Sequence, residues 1–244
     1  MQSRNDPMGQ AIADFHRTGH AGRLQVLSPM FDDDVMPLDI LFRGYDEMPS
    51  LERKALDIAN GRVLDVGAGA GCHSLVLQER GLNVTAIDIS PLSVQTMKAR
   101  GLKNAMEQDF FTMTGQYDTV LMLMNGIGIV GRLARLPEFF ARLDRILAPS
   151  GQVLCDSSDL RFLFEDDNGI LIVPEDTNYY GECSFTMKYK GVKGDPFEWL
   201  YVDADTLKKA AAKCGYNVET IAVGDHYEYL ARITKDTVTQ NIAK

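Results

Sequence analysis

Val63-Leu64-Asp65-Val66-Gly67-Ala68-Gly69-Ala70-Gly71 decides the fold of this chain. Val63, Leu64 and Val66 read as a short strand buried on both faces, the pattern of a parallel sheet. Three glycines follow, and then the helix-compatible run 72–80. A strand feeding a glycine turn and a helix is a device for nucleotide cofactors. The glycines permit a tight turn and a close ligand, and the helix start offers free N–H groups. A dinucleotide fingerprint, G-x-G-x-x-G or a final Ala, would need a small residue where Cys72 stands; the spacing here is G-x-G-x-G. Asp88 closes the next strand about 20 residues on, where a carboxylate accepts hydrogen bonds from ribose hydroxyls. Ribose is common to NAD and other adenosine cofactors, so it is the glycine spacing that disfavours a dinucleotide.

Outward from this stretch, strand and helix alternate. Residues 83–87 read as the second strand, and Ser90-Pro91 starts a helix with cap first and proline in the first turn. Residues 104–107 form a short strand leading to Asp109-Phe110. Residues 117–124 form a buried strand ending at Asn125-Gly126-Ile127-Gly128, and 137–147 an amphipathic helix. A turn at Pro149-Ser150-Gly151 precedes the strand 152–155, which ends at Asp156-Ser157-Ser158-Asp159. This order predicts an α/β fold with a mainly parallel sheet and helices on both faces. Ligands in such sheets sit beyond the C-terminal strand ends. Asp65, Asp88, Asp109, Asn125 and Asp156 all fall there.

Upstream, Ser50 reads as the cap of a helix to Ala59, stopped by Asn60-Gly61. Ile12 and Phe15 share one side of a short helix, and residues 24–35 carry an irregular pattern. Asp32-Asp33-Asp34 reads as a solvated turn, with metal binding as the lesser alternative. The apolar segment 37–45, with Arg43 and Tyr45, is a packing arm or a lid over the glycine turn. Downstream, 165–169 is a polar turn. Residues 184–190 and 197–202 alternate with period two, which predicts an inserted β-hairpin. A helix capped by Asp203 or Asp205 leads to a C-terminal antiparallel hairpin over 217–223 and 227–233, and the last ten residues are a frayed tail. The expected organisation is an arm or lid (1–50), a cofactor-binding core (51–160), an inserted segment (161–202) serving as substrate cover or dimer contact, and a helix and hairpin (203–235) that complete the same domain.

The 244 residues, 45% of them hydrophobic, allow one large α/β domain. A net charge of −9 argues against a nucleic-acid partner. The four cysteines show no metal-ligand spacing, which fits reduced thiols in a cytoplasmic protein and no metal site. No secretory signal is visible, and the longest apolar run, 120–130, falls short of the roughly 20 residues of a membrane span.

The stretch 63–71 resembles motif I of the class I S-adenosylmethionine-dependent methyltransferases. The likeness extends to Ala86-Ile87-Asp88-Ile89-Ser90, to Asp109-Phe110, to Tyr117-Asp118-Thr119-Val120 ahead of Asn125, and to 147–152. It implies a Rossmann-like fold and S-adenosyl-L-methionine as cofactor. By resemblance, Asp65 acts near the methionine end, and the 67–71 backbone, Gly67, Ala68, Gly69 and Gly71, passes close to the cofactor. Asp88 then binds the ribose hydroxyls, Asp109 accepts from the adenine amino group, and Ile89 or Phe110 flanks the ring, with core packing the alternative for Phe110. Asn125 borders the methyl group and the acceptor. His73 belongs with the cofactor set or is a plain helix-face residue.

Methyl transfer from a sulfonium is an in-line displacement with a leaving group already activated, so alignment and water exclusion carry it and a base is needed only for a protonated nucleophile. No catalytic triad is present, and His20 and His226 lack spacing partners. The substrate-wall candidates are Asn125, Asp156, Ser157, Ser158, Asp159, Tyr179, Tyr180 and Trp199, with Arg43 and Tyr45 from the arm. The Pro-Pro-aromatic sequence of base-methylating enzymes is absent after Asn125. The expected acceptor is therefore a small molecule. A protein side chain, a non-catalytic cofactor sensor and an aminopropyl transferase are the alternatives. The exposed edge of the 184–202 hairpin offers a homodimer contact.

Overall fold

The computed structural model describes residues 5–166, 168, 170–172 and 179–236. In chain order its elements are α1 (Pro7–Thr18), β1 (Leu24–Leu27), β2 (Asp34–Met36), α2 (Ser50–Ile58), β3 (Arg62–Val66), α3 (Cys72–Glu79), β4 (Asn83–Asp88), α4 (Pro91–Ala99), β5 (Ala105–Glu107), β6 (Tyr117–Met122), α5 (Leu136–Ile146), β7 (Leu147–Ser158), β8 (Glu182–Tyr189), β9 (Val192–Lys193), β10 (Phe197–Leu200), α6 (Ala204–Lys213), β11 (Tyr216–Val223) and β12 (Glu228–Lys235).

Seven strands build the main sheet in the order β11-β12-β7-β6-β3-β4-β5. From β7 to β5 all pairs are parallel, while β12 runs antiparallel to β7 and β11. β3 lies at the centre because it is apolar on both faces: Val63 and Leu64 are wholly buried. β4 and β5 extend the sheet on one side of β3, and β6 and β7 on the other, so the strand order reverses beside β3, where a ligand crevice opens at the C-terminal strand ends. The α/β architecture and the C-terminal hairpin are as the sequence predicts.

Local details depart from expectation in instructive ways. Pro49 occupies the N-cap position of α2, and Ser50 is the first helical residue. Asp203 rather than Asp205 caps α6, its side chain accepting from Thr206 N–H. The turn expected at Pro149-Ser150-Gly151 is instead a bulge inside the long strand β7, where Tyr117 pairs with Leu147 and Thr119 with Gln152. Asp32, Asp33 and Asp34 are solvent-exposed. The predicted tail falls almost wholly outside the described residues, as does part of the 165–169 turn.

The largest departure is a second sheet, ordered β10-β8-β1-β2 with β9 beside β8. The inserted hairpin is real, with Phe197 opposite Phe185, but its β8 edge is taken by β1 from the chain start, Val26 pairing with Met187. The irregular segment 24–35 therefore holds β1 and the start of β2, and the arm and the insertion share one sheet. The arm is anchored on the glycine turn by a small core of Ala11, Ile12, Leu24, Leu38, Leu41, Ala70 and Tyr189. α1 also packs on α4.

Candidate functional site

Three glycines of the turn, Gly67, Gly69 and Gly71, have positive φ (68°, 56° and 82°), the conformation that glycine adopts without strain. The loop thereby reverses from β3 into α3 and presents its backbone outward. Gly67 is exposed, and a Cβ built on it meets nothing within 4 Å. Gly69 is covered instead, with Leu41 and Ile12 of the arm 3.9 and 4.0 Å from its Cβ position. Arg100, at the end of α4, ties the two together: its guanidinium donates to Ala70 O at 2.6 Å and lies over the Phe42 ring.

Asp88 sits at the tip of β4. Its carboxylate accepts from Gly69 N–H (2.9 Å) and Ser90 N–H (2.8 Å), so it braces the turn and still has free lone pairs. Burial pushes its pKa up to about 6 against the pull of those two donors. Beside it, Ile89 is 62% exposed, a large apolar side chain left mostly uncovered next to the Asp88 carboxylate. Asp109 is exposed at the tip of β5 and uses one oxygen to cap Phe111 N–H. Phe110 is in the core, 3% exposed and packed on Phe139, which leaves Ile89 as the residue free to flank a ring.

At the tip of β3, Asp65 is buried and accepts from Ser74 Oγ at 2.6 Å. His73 lies next to it. Its Nε2 is 2.7 Å from Glu52 Oε2, and the other oxygen of Glu52 is paired with Arg43. Burial works against the charge on His73, but Cys72, Glu52 and Asp65 outweigh it and hold the imidazole pKa well above its ordinary value. His73 and Arg43 in turn keep Glu52 below the usual carboxylate range despite burial. Arg43 Nε is buried and finds no hydrogen-bond partner among the described residues.

At the tips of β6 and β7 the backbone is strained. Met124 and Asn125 both adopt positive φ (62° and 57°), uncommon for residues with a Cβ. Asp156 holds this turn, its carboxylate taking Gly126 N–H at 3.3 Å, and burial pushes its pKa up to about 6. Asn125 donates to Leu200 O at 3.4 Å, while its Oδ1 is buried without a partner among the described residues.

Asp65, the glycine turn, Asp88, Ile89, Asp109, Asn125 and Asp156 thus come together along one edge of the sheet, and Arg43 and His73 join at its β3 end. Tyr45, Tyr179, Tyr180, Ser157 and Ser158 do not. Tyr45 turns away, its hydroxyl on Asp57 and its ring under Arg80 near the far end of α3. Tyr179 and Tyr180 are buried, with hydroxyls on Asp203 and Asp159 respectively. Ser157 is buried and takes Val202 N–H, and Ser158 pairs with Glu228 in the β7–β12 ladder. Trp199 lies over Gly128, where a Cβ would come within 2.0 Å of its Nε1. Glu52, Ser74 and Arg100 were not singled out from sequence. Glu52 had a signal: it stands on the buried stripe of α2 with Leu51, Ala55 and Leu56.

An open glycine backbone, a strand-end carboxylate and an exposed apolar flank on one edge of the sheet fit an adenosine cofactor without phosphates. A family model described as a methyltransferase domain matches residues 42–221. A structure of an S-adenosylmethionine-dependent methyltransferase from Bacteroides fragilis, in complex with S-adenosyl-L-homocysteine, is 52% identical, with a TM-score of 0.91 over 96% of this chain and 97% of that one. This chain belongs to the class I S-adenosylmethionine-dependent methyltransferases. The methyltransferase also shares its fold with CcbJ of Streptomyces caelestis, at 13% identity and a TM-score of 0.63 over 95% and 98% of the two chains. A ubiquinone biosynthesis O-methyltransferase from Xanthomonas oryzae is 36% identical over 74 residues, 27% of this chain. That match spans about a third of the relative's length (31%). The cofactor of this methyltransferase is S-adenosyl-L-methionine. Among the described residues no helix is long and apolar enough to cross a membrane.

Proposed function

We propose that this methyltransferase transfers the methyl group to a small molecule, within a site closed by the arm and the inserted segment. The observation that carries this reading is the pairing of β1 with β8. It joins two segments far apart in the chain into one cover, fixed on the glycine turn through Leu41, Ile12 and Arg100. A cover built this way would exclude water from the transfer and favour a compact acceptor over a macromolecule.

The donor end supports the same reading. Asp88 is placed to take the ribose hydroxyls, Asp109 the adenine amino group, and Ile89 one face of the ring. Asp65, held by Ser74, faces the methionine end. The buried Arg43 Nε, a donor without a partner among the described residues, is available there to a carboxylate. When bound, the cofactor supplies an activated methyl group. The protein's residues orient it, hold the nucleophile in line and exclude water. Asp156 and Asn125 border the place where methyl and acceptor meet.

The test uses S-adenosylmethionine carrying a labelled methyl group, incubated with the protein and a cell extract split by size. Label recovered in the small-molecule fraction is the expected outcome. Label confined to polypeptides would transfer the reading to a protein side chain, and cofactor binding with no label transferred to either fraction would favour a sensor.

A further inference from the structure

The second sheet presents one face whose side chains have two different jobs. Along β8 that face carries Cys183, Phe185, Met187 and Tyr189, since alternate residues of a strand share a face. Register puts Phe197 opposite Phe185 and Trp199 opposite Cys183 on β10. At the arm end, Met187 and Tyr189 pack against Ile12 and Ala70, directly over the glycine turn. At the other end, the indole of Trp199 rests on Gly128, in the segment that follows Asn125. The middle of the face therefore bridges from the donor turn to the tip of β6.

The middle is aromatic and unfinished. Phe185 and Phe197 lie 6.1 Å apart between ring centres, Phe197 and Trp199 6.0 Å, Phe31 and Phe185 6.4 Å, and Phe31 and Phe164 6.3 Å. All five are only half-buried, so each ring keeps surface that no other described residue of the chain covers. They are drawn from the arm, from the segment after β7 and from both inserted strands, so their meeting is a product of the fold and not of one amphipathic strand. At the edge of this wall stands Asn125, with its Oδ1 buried and without a partner among the described residues. A buried acceptor left unmade costs free energy that a ligand donor would recover.

We propose that the acceptor lies under the second sheet, its body a planar aromatic ring against Phe185, Phe197 and Trp199, and its nucleophile an N–H or O–H group whose proton is held by Asn125 Oδ1. Asn125 is then a residue that orients the nucleophile, leaving a lone pair directed at the methyl carbon. The methyl–sulfur bond breaks as the heteroatom–methyl bond forms, its electron pair stays on sulfur, and the heteroatom's proton departs to the acid–base groups at the site or to water. This class of acceptor rests on the small-molecule reading above.

Trp199 is the single tryptophan of the chain, so intrinsic fluorescence reports on this wall alone. The full chain is loaded with S-adenosylhomocysteine and titrated with phenol, aniline, anisole and ethanolamine. Phenol and aniline are expected to change the Trp199 emission saturably. Anisole, which has the ring but no donor, binds about fivefold more weakly. Ethanolamine, which has donors but no ring, leaves the emission unchanged. Asn125→Ala removes the phenol–anisole difference, and Phe185→Ala weakens all ring compounds about tenfold. Calorimetry with S-adenosylhomocysteine shows that each variant is folded. The proposal is overturned if the rings are silent in the loaded protein, if ethanolamine alone responds, or if neither substitution alters ring binding. Silent rings together with labelled small molecules in the size-split assay would remove the aromatic class alone; label confined to polypeptides would remove the small-molecule reading itself.

Discussion

The two ends of the site are built by opposite strategies. The donor end comes from consecutive elements: β3, the glycine turn, α3, β4 and the tip of β5 lie within residues 62–109. Its key contacts are to backbone, such as Asp88 on Gly69 and Ser90 N–H. The proposed acceptor end comes from segments far apart in the chain, with β1 at 24–27 bound to β8 at 182–189. The surfaces proposed for it are side chains, mostly aromatic. A donor common to a whole superfamily is met by a backbone turn and a few strand-end side chains fixed to it, such as Asp88. An acceptor that differs between members is held by parts that can be exchanged without disturbing the sheet.

The seam between the ends is the place where the comparison breaks most easily. Glu52 sits between His73 at the start of α3, which is buried, and Arg43 of the arm, which is largely covered. Glu52→Leu leaves the two cations without their shared anion. The expected loss is about 3 kcal/mol, or a melting temperature lower by about 6–12 °C for a chain of this size. Thermal melting checks this, and an unchanged midpoint would show that the arm is held without the pair.

A smaller effect sharpens the donor side. Asp88 has its pKa raised to about 6, so in the free protein it is ionised above that pH and protonated below it. Ribose hydroxyls donate to the ionised form. Affinity for S-adenosylhomocysteine is therefore full near pH 7.5 and falls as pH drops through 6, to about a tenth at pH 5. Asp156 titrates in the same range, so the control is Asp88→Asn, whose weaker binding loses most of this slope. Calorimetry across this range would refute the ribose role if wild type and variant followed the same curve.

The smallest expected donor effect belongs to the acceptor side. Gly128→Ala places a methyl group on the Trp199 indole, which must move. The Trp199 emission shifts, while affinity for S-adenosylhomocysteine stays within about twofold, because distant sites act independently. A large loss of cofactor affinity would mean that the two ends are not separate.

The same division explains what could be read from the sequence. Strands β3, β4, β6 and β7, the glycine turn and the capped helix at Ser90-Pro91 follow from local patterns, because each is specified by residues adjacent in the chain. Asp88, Ile89 and Asp109 could be placed because they end such strands. The second sheet could not, since residues 24–27 carry no alternation that names a partner at 182–189, and strand pairing over that distance is decided by the packing of the whole. The direction of Tyr45 is not legible for a related reason: its side chain follows Asp57 and Arg80, contacts that no local pattern specifies. Glu52 was overlooked because a charged residue in a helix is usually solvated, and only its phase with Ala55 and Leu56 marked it as buried.

The division of labour between the two ends is tested most directly by titrating S-adenosylhomocysteine into wild type, Asp88→Ala and Trp199→Leu. Wild type is expected to bind one equivalent. Asp88→Ala should bind it more than tenfold more weakly, and Trp199→Leu with wild-type affinity. Unchanged affinity in Asp88→Ala, or an equal loss in both variants, would contradict the account.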